Sequence, residues 1–294
     1  MQITKDQVKA GHACTDGYRW FLEKFPQGGA YAAVHQALTE DKRFDDARWL
    51  VSQMYRTHLN SAEFIKAETA ATDKMVTDLT SMDQPADQVE GENSSGYNAQ
   101  IGSSGYNARI GSSGNYARIG SSGNYAQIGS SGNYAQIGSS GYNAQIGSSG
   151  NYARIGSSGY NARIGSSGNY AQIGSSGNYA QIGSSGYNAQ IGSSGNYARI
   201  GSSGYNARIG SSGNYAQIGS SGYNARIDAT GKNAVVAAAG SVQRIVLGEG
   251  ACAVIPFHDG TRTRFAVAYV GENDIKANTP YTLNANGQFV AIEE

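Results

Sequence analysis

Between Ile101 and Arg226 the chain sets one isoleucine and one alanine at fixed places in every nine residues, with small or polar residues between them. The unit reads Ile-Gly-Ser-Ser-Gly, then Tyr-Asn or Asn-Tyr, then Ala, then Arg or Gln. Its isoleucines run from 101, 110 and 119 to 218 without a slip. Fourteen units fill residues 101–226, and weaker ones flank them at 92–100, 227–235 and 236–244. Alternation along a strand puts Ala108 and Ile110 on one side, Arg109 and Gly111 on the other. Stacked strands use such a register, each isoleucine resting on its equivalent about 4.8 Å away. A disordered Gly/Ser/Tyr/Asn/Gln tract has a similar composition but needs no register. The pattern therefore predicts a β-solenoid. Its strand is Ala-Arg-Ile, and its corner is Gly-Ser-Ser-Gly, where glycine supplies positive φ and serine bonds the freed backbone.

The Tyr/Asn order swaps between units, as in Tyr106-Asn107 and Asn115-Tyr116. An inward/outward exchange within a strand is costly, so this pair is expected at a bend. Nine residues are too few for a closed coil. Two units per coil, about 18 residues, make a flattened two-faced roll, and three make a triangular prism. With only Ile and Ala inward the core is thin, which favours two. A longer period of 45 residues relates Arg109/Arg118, Arg154/Arg163 and Arg199/Arg208. Its simplest cause is tandem duplication of a five-unit block.

Residues 1–82 show helical spacing. Thr4-Lys5-Asp6-Gln7 has a capping-box pattern. Thr15 can cap a helix that runs to about Phe25 and ends at Pro26-Gln27-Gly28-Gly29. A third helix is expected over Ala30–Leu38. A fourth carries Phe44, Ala47, Trp49, Leu50, Val51 and Met54, and a fifth begins at Ser61. Trp20, Phe21, Phe25, Trp49 and Leu50 are the expected core, and docking on the first coil would help so small a bundle. Asp83–Glu92 reads as an acidic, solvated connection. After Arg244 the repeat decays. Two hairpins are expected around Asp259-Gly260 and Asn284-Ala285-Asn286-Gly287, covering the last open edge. The predicted layout is mainly β: an α-helical domain over 1–82, a linker and irregular first coil over 83–100, a nonapeptide-repeat β-solenoid over 101–244, and an antiparallel β cap over 245–294.

Composition localises rather than classifies. The 41 glycines and 20 tyrosines of the 294 residues concentrate in the repeat. The net charge is zero, but as a sum of opposed parts. Residues 1–100 carry 10 Lys+Arg against 15 Asp+Glu, residues 101–226 carry seven Arg and no acid, and residues 227–294 carry 5 against 7. No apolar run reaches about 20 residues, so a membrane helix is not expected. The N-terminus lacks a signal pattern, and a cytoplasmic location is expected.

The same charge pattern bears on function. A repeat without Asp or Glu cannot form calcium-type nonapeptide turns, and it cannot present the acidic surface of a DNA mimic. In an 18-residue coil Arg109, Arg163 and Arg199 share one face, while Arg118, Arg154, Arg208 and Arg226 share the other. No continuous basic stripe results, which weakens a nucleic-acid reading by phosphate contact and base stacking. Arg and Tyr also anchor protein interfaces. The candidate binding residues are therefore these seven arginines with Tyr106, Tyr116, Tyr160 and Tyr205.

Catalytic candidates are sparse. His12, Cys14 and Asp16 form the only dense cluster of suitable types, and Thr15 and Asp16 read better as capping groups. His258-Asp259 reads as part of a turn. No phosphate-loop, zincin or nucleophile-elbow motif occurs, and Gly-Ser-Ser-Gly lacks the lysine of a phosphate loop. Two cysteines 238 positions apart make neither a disulfide framework nor a zinc site. No enzyme, cofactor or metal is expected.

The segments Cys14-Thr15-Asp16-Gly17-Tyr18-Arg19-Trp20-Phe21 and Arg43-Phe44-Asp45-Asp46-Ala47-Arg48-Trp49-Leu50 resemble the N-terminal region of uncharacterised proteins of bacteria, prophages and phages. Those proteins join it to Gly/Ala/Ser-rich repeats. Ala268-Tyr269-Val270-Gly271-Glu272-Asn273-Asp274-Ile275-Lys276 and Pro280-Tyr281 are similar to their tail. The resemblance implies a mobile-element context, in which small accessory proteins counter host defence by binding a protein target. The expected function is that of a non-enzymatic binding protein. In it the solenoid holds two terminal domains apart and one surface meets a macromolecule such as a host defence complex, blocking it sterically. The alternatives are self-assembly into homo-oligomers or fibres, and nucleic-acid binding through Arg and Tyr.

Overall fold

A computed structural model describes residues 1–59, 61–81 and 92–292. Residues 83–91 of the expected connection lie outside the described residues. The repeats form a β-solenoid of two parallel sheets, with partners 18 residues apart: Arg154-Ile155-Gly156-Ser157 pairs with Gln172-Ile173-Gly174-Ser175 in one sheet, and Arg163–Ser166 with Gln181–Ser184 in the other. Consecutive units alternate between the sheets, so two units make one coil.

The inward residues are Ile and Ala, as expected, joined by the first Ser of each unit. Ala153, Ile155 and Ser157 are all fully buried. The strand is Arg/Gln-Ile-Gly-Ser, one residue later than expected, because the first Ser still points inward and its backbone still pairs along the stack. The corner is therefore Ser-Gly followed by the Tyr/Asn pair.

The corner glycine does not supply positive φ. That conformation belongs to the second residue of the pair, whichever it is: Asn188 has φ 54° and Tyr197 has φ 58°. The glycine is needed for proximity instead, since a Cβ on Gly168 would lie 2.0 Å from the carbonyl oxygen of Gly150, one coil back.

The free exchange of Tyr and Asn then has a cause. In the Asn-Tyr order, tyrosine takes the left-handed conformation, which is unfavourable for it. In compensation, the Asn196 side chain accepts the backbone N–H of Asn214 at 2.9 Å. In the Tyr-Asn order, asparagine occupies the left-handed position it tolerates, and Asn161 Nδ2 donates to Asn143 Oδ1 at 2.7 Å. A backbone preference is traded for one hydrogen bond, each worth about 1 kcal/mol. The double exchange Asn196→Tyr with Tyr197→Asn is expected to leave the melting temperature within about 3 °C of wild type, as read by circular dichroism.

Among the described residues five helices precede the coils: α1 (Lys5–Ala10), α2 (Thr15–Lys24), α3 (Tyr31–Glu40), α4 (Phe44–Thr57) and α5 (Ala62–Thr80). The Thr4/Gln7 capping box is present, and Ser61 caps α5. Cys14, not Thr15, caps α2; its Sγ accepts the Gly17 N–H at 3.2 Å. The core is centred on Tyr31, Tyr55, Leu59, Phe64 and Ile65. Of the expected core residues Phe21 and Leu50 are buried, whereas Trp20, Phe25 and Trp49 are only partly buried and pack against the core.

The helical domain reaches the first coil, as expected, but docks along a whole sheet rather than on that coil alone. α5 lies lengthwise along one sheet, antiparallel to the direction in which coils are added: Leu79 lies over Gly120, Val76 over Gly138, Thr72 over Gly156 and Gly174, and Ile65 over Gly210. The fit follows from two repeats of similar length, a helical turn of about 5.4 Å and a coil rise of about 4.8 Å. Among the described residues, antiparallel hairpins end both sheets. Cys252–His258 with Thr263–Tyr269 extends one, and Pro280–Leu283 with Phe289–Ala291 extends the other.

Candidate binding surface

The two sheets differ in cover, not in composition. On the covered sheet, the strand Arg154–Ser157 is buried from Ile155 onward, glycine included. On the opposite sheet, Arg163–Ser166 alternates exposed and buried, and Gly165 is exposed. A Cβ on Gly156 would lie 2.4 Å from Thr72 Cγ2, whereas one on Gly129, Gly147, Gly165, Gly183 or Gly219 would meet nothing within 4 Å. The open sheet is thus a long groove of about 1380 Å³, floored by glycine and bordered by an Arg/Gln row.

The arginines divide between the sheets as the 18-residue coil requires. Arg109, Arg163 and Arg199 stand exposed on the open sheet. Arg118, Arg154, Arg208 and Arg226 are on the covered sheet, each less exposed. Arg118 lines a trough beside α3 and α5 with Tyr116 and Arg154. Arg208 Nη1 donates to the Ser52 carbonyl of α4 at 3.3 Å, and burial followed by the charges of Arg226 and Arg56 lowers its pKa to about 10, so it stays protonated at neutral pH. Arg226 Nε donates to Gln243 Oε1 at 2.8 Å.

Arg154 is drawn into the interior. Its Nη2 lies 3.8 Å from Glu68 Oε1, and its Nη1 lies 2.9 Å from both ring nitrogens of His35. Glu68, 2% exposed, also accepts from the Tyr31 hydroxyl. Burial raises the Glu68 pKa, with Arg154 and Tyr31 opposing. This network clamps α3 and α5 to the coil. Sequence reasoning missed Glu68, His35 and Tyr31, since a glutamate on a helix reads as surface. The one available signal is that Glu68 sits between Ile65 and Ala71 on the helix's buried stripe.

Burial, and then the Arg154 charge, hold the His35 pKa well below its ordinary 6.5. The folded chain keeps this imidazole neutral, while the unfolded chain protonates it near that value. Its contribution is complete above pH 6.5 and is lost as pH falls below it, by about 1.4 kcal/mol per pH unit. The stability difference between wild type and His35→Gln should therefore narrow between pH 7 and pH 5 in denaturant titrations. A constant difference would contradict this account.

The tyrosines form a ladder on each edge of the roll. Tyr116 and Tyr205 belong to the edge that leads into the covered sheet. Tyr116 packs on Phe44 at 5.6 Å and stacks on Tyr134 at 4.8 Å, and the Arg48 guanidinium sits 4.4 Å over the Tyr152 ring. Tyr205 lies between Tyr187 and Tyr223 in the same ladder. Tyr106 and Tyr160 belong to the other edge, where Tyr106 contacts Tyr125 at 5.3 Å and Tyr160 contacts Tyr179 at 5.2 Å. That edge leads into the open sheet, three residues before Arg109 and Arg163 respectively. Of the eleven candidates, the fold gathers Arg109, Arg163, Arg199, Tyr106 and Tyr160 on one exposed surface and puts the other six on the side that carries the helical domain.

The remaining polar clusters have structural partners. Cys14 caps α2, and Asp16 pairs with Arg43 at 2.6 Å, which lowers the Asp16 pKa. Asp259 accepts from the Arg264 side chain and from the N–H groups of Arg262 and Thr261, each at 2.9 Å, and these bonds, the Arg264 one first, hold its carboxyl far below the usual range. Among the described residues no three His, Cys, Asp or Glu are grouped to hold a metal, and no helix is long and apolar enough to cross a membrane.

No solved structure matches this chain. Uncharacterized protein YdhT of Escherichia coli (strain K12) is 53% identical over 49 residues, which is 17% of this chain and 18% of that protein. The matched stretch is thus less than a fifth of either. Residues 1–59 match the family described as the YdhT N-terminal domain. That segment holds α1–α4 and stops short of α5, so the N-terminal helical region is similar to that of an uncharacterised bacterial protein, in keeping with the resemblance carried by residues 14–21 and 43–50.

Proposed function

We propose that this chain is a non-enzymatic binding protein whose binding surface is the open sheet with its bordering tyrosine ladder, not its terminal domains. One observation carries the reading. The same repeat builds both sheets; on one it holds the chain's own helical domain, and on the other it leaves a glycine-floored groove with three exposed arginines. The side-mounted domain favours this reading over that of a spacer with a domain at each end. A protein of the host, such as a component of a defence complex, is the class of target that the mobile-element resemblance favours.

Two observations count against the alternatives. The terminal hairpins cover the last coil of both sheets, which opposes end-to-end fibre growth. The arginines of the open sheet are three and two coils apart, or about 14 Å and 10 Å, too sparse for a phosphate track. The test is a quantitative pull-down from bacterial lysate with wild type and with Arg109→Glu/Arg163→Glu/Arg199→Glu. A protein held by wild type and lost by the variant supports the reading. Identical recoveries, or recovery of the bait alone, would remove it.

A further inference from the structure

Resting on that binding-face reading, we propose that the occupant of the open sheet is an acidic amphipathic α-helix of a partner protein, laid lengthwise along the groove. The covered sheet supplies the template. There α5 places Thr72, Val76, Leu79 and Ile65 on the glycine floor. On one flank it meets the outer serines: Thr69 Oγ1 donates to Ser194 Oγ at 3.1 Å, and Ser176 Oγ donates to Asp73 Oδ1 at 2.7 Å. On the other flank its Glu68 meets Arg154 of the Arg/Gln row. The open sheet offers the same three rows in the same order: outer serines, glycine floor, and Arg or Gln. A side chain entering over Gly165 or Gly183 finds no atom within 4 Å of the position a Cβ would take.

Helix geometry and charge make the occupant specific. One helical turn per coil lets small or β-branched residues at every third or fourth position reach successive glycines, as those of α5 do. With no acid in residues 101–226, the arginines of the open sheet lack partners within the repeat. Arg163 is three coils from Arg109 and Arg199 is two coils from Arg163. At about 4.8 Å per coil and 1.5 Å per helical residue these spacings equal about 10 and 6 residues, so acids 11 and then 7 residues apart on one side of a helix come within about 2 Å of facing them, which a long arginine side chain spans. Both intervals return to nearly the same side of a helix, so one acidic edge serves all three arginines. An extended peptide could reach the same length but would not seat one side chain per glycine, because its same-face residues recur about every 7 Å.

The experiment uses the full-length chain and fluorescence anisotropy. The probe is a helix-stapled 21-residue peptide with an Ala/Thr/Val stripe and Glu at the stated intervals. The controls are the same peptide with Lys for Glu, an unstapled version broken by proline, and a 20-nucleotide single strand of DNA. The acidic helix is expected to bind, the lysine version about 30-fold more weakly, and the proline version about tenfold more weakly. Gly165→Leu/Gly183→Leu, whose added Cβ atoms meet nothing within 4 Å in the free chain, should keep the wild-type melting temperature and lose at least about tenfold in affinity. Equal binding of the proline or lysine peptide overturns the proposal, as does unchanged affinity of the leucine variant, preference for DNA, or no binding by the acidic helix. If the arginine variant loses its lysate partner while no helical peptide binds, the helix is refuted and the open face stands. If that variant keeps every partner, the binding-face reading falls with it.

Discussion

Gly168→Ala is expected to destabilise the solenoid by about 3 kcal/mol or more, a large effect for the addition of one methyl group. The added Cβ would lie 2.0 Å from the Gly150 carbonyl oxygen and 2.7 Å from its carbon, and both are backbone atoms fixed by the coil below. A flexible side chain could turn aside, but a backbone carbonyl in a parallel stack moves only if the coils part. Gly165→Ala, three residues earlier, is the control. It meets nothing within 4 Å and has an extended conformation that alanine shares, so it should be neutral or stabilise by up to about 1 kcal/mol. Urea titrations followed by circular dichroism compare the two. A Gly168→Ala midpoint equal to wild type would mean that the coils are not packed at this distance.

The second large effect is Arg154→Gln. The repeat itself uses glutamine at this position in many units, so in the motif the change is conservative. On the covered sheet it leaves Glu68 buried without its guanidinium, and breaking a buried pair costs about 3–5 kcal/mol. The same substitution at Arg163, exposed on the open sheet, should change stability by less than about 0.5 kcal/mol. The pH dependence gives a further signature. The Glu68 pKa is already raised by burial, and losing Arg154 removes an influence that lowers it. Burying the charge costs nothing below the ordinary carboxylate range and progressively more above it, so the defect of Arg154→Gln should be greatest at neutral pH and shrink towards pH 4.5. Equal stability of the Arg154 and Arg163 variants at pH 7 would show that the network contributes nothing to docking.

These two predictions also mark where the sequence is legible. Period, register, coil size and the division of arginines between two faces follow from local rules, because alternation and an 18-residue closure fix which way each side chain points. The Tyr/Asn bend, the Thr4 capping box and the Asp259-Gly260 hairpin are legible for the same reason. The placement of the helical domain is not. The stripe formed by Thr69, Thr72, Val76 and Leu79 reads as the inner face of a bundle, and nothing local says that it is meant for a sheet. Arg154 and Arg163 sit in surroundings along the chain that differ only in the order of the flanking Tyr/Asn pairs. What separates them is a helix over 80 residues upstream, and that tertiary contact decides which arginine is buried and which glycine is indispensable. The corner glycine misled for a related reason: its small size answers a neighbour one coil away rather than its own torsion angles.

The five-unit block has a consequence for how such a chain can change length. Forty-five residues are two and a half 18-residue coils, so each copied unit lands on the face opposite its parent: Arg109 on the open sheet becomes Arg154 on the covered one, then Arg199 on the open one. Copying by an odd number of units stamps helix-accepting chemistry on both faces, whatever either face is for. It also sets a parity. Gain or loss of one block turns everything downstream by half a revolution, exchanging the sheets on which the two C-terminal hairpins end. Two blocks, 90 residues, restore the original phase. Chains that keep their hairpins in fixed orientation to the helical domain should therefore differ in length by whole coils, while single-block variants should carry them reversed.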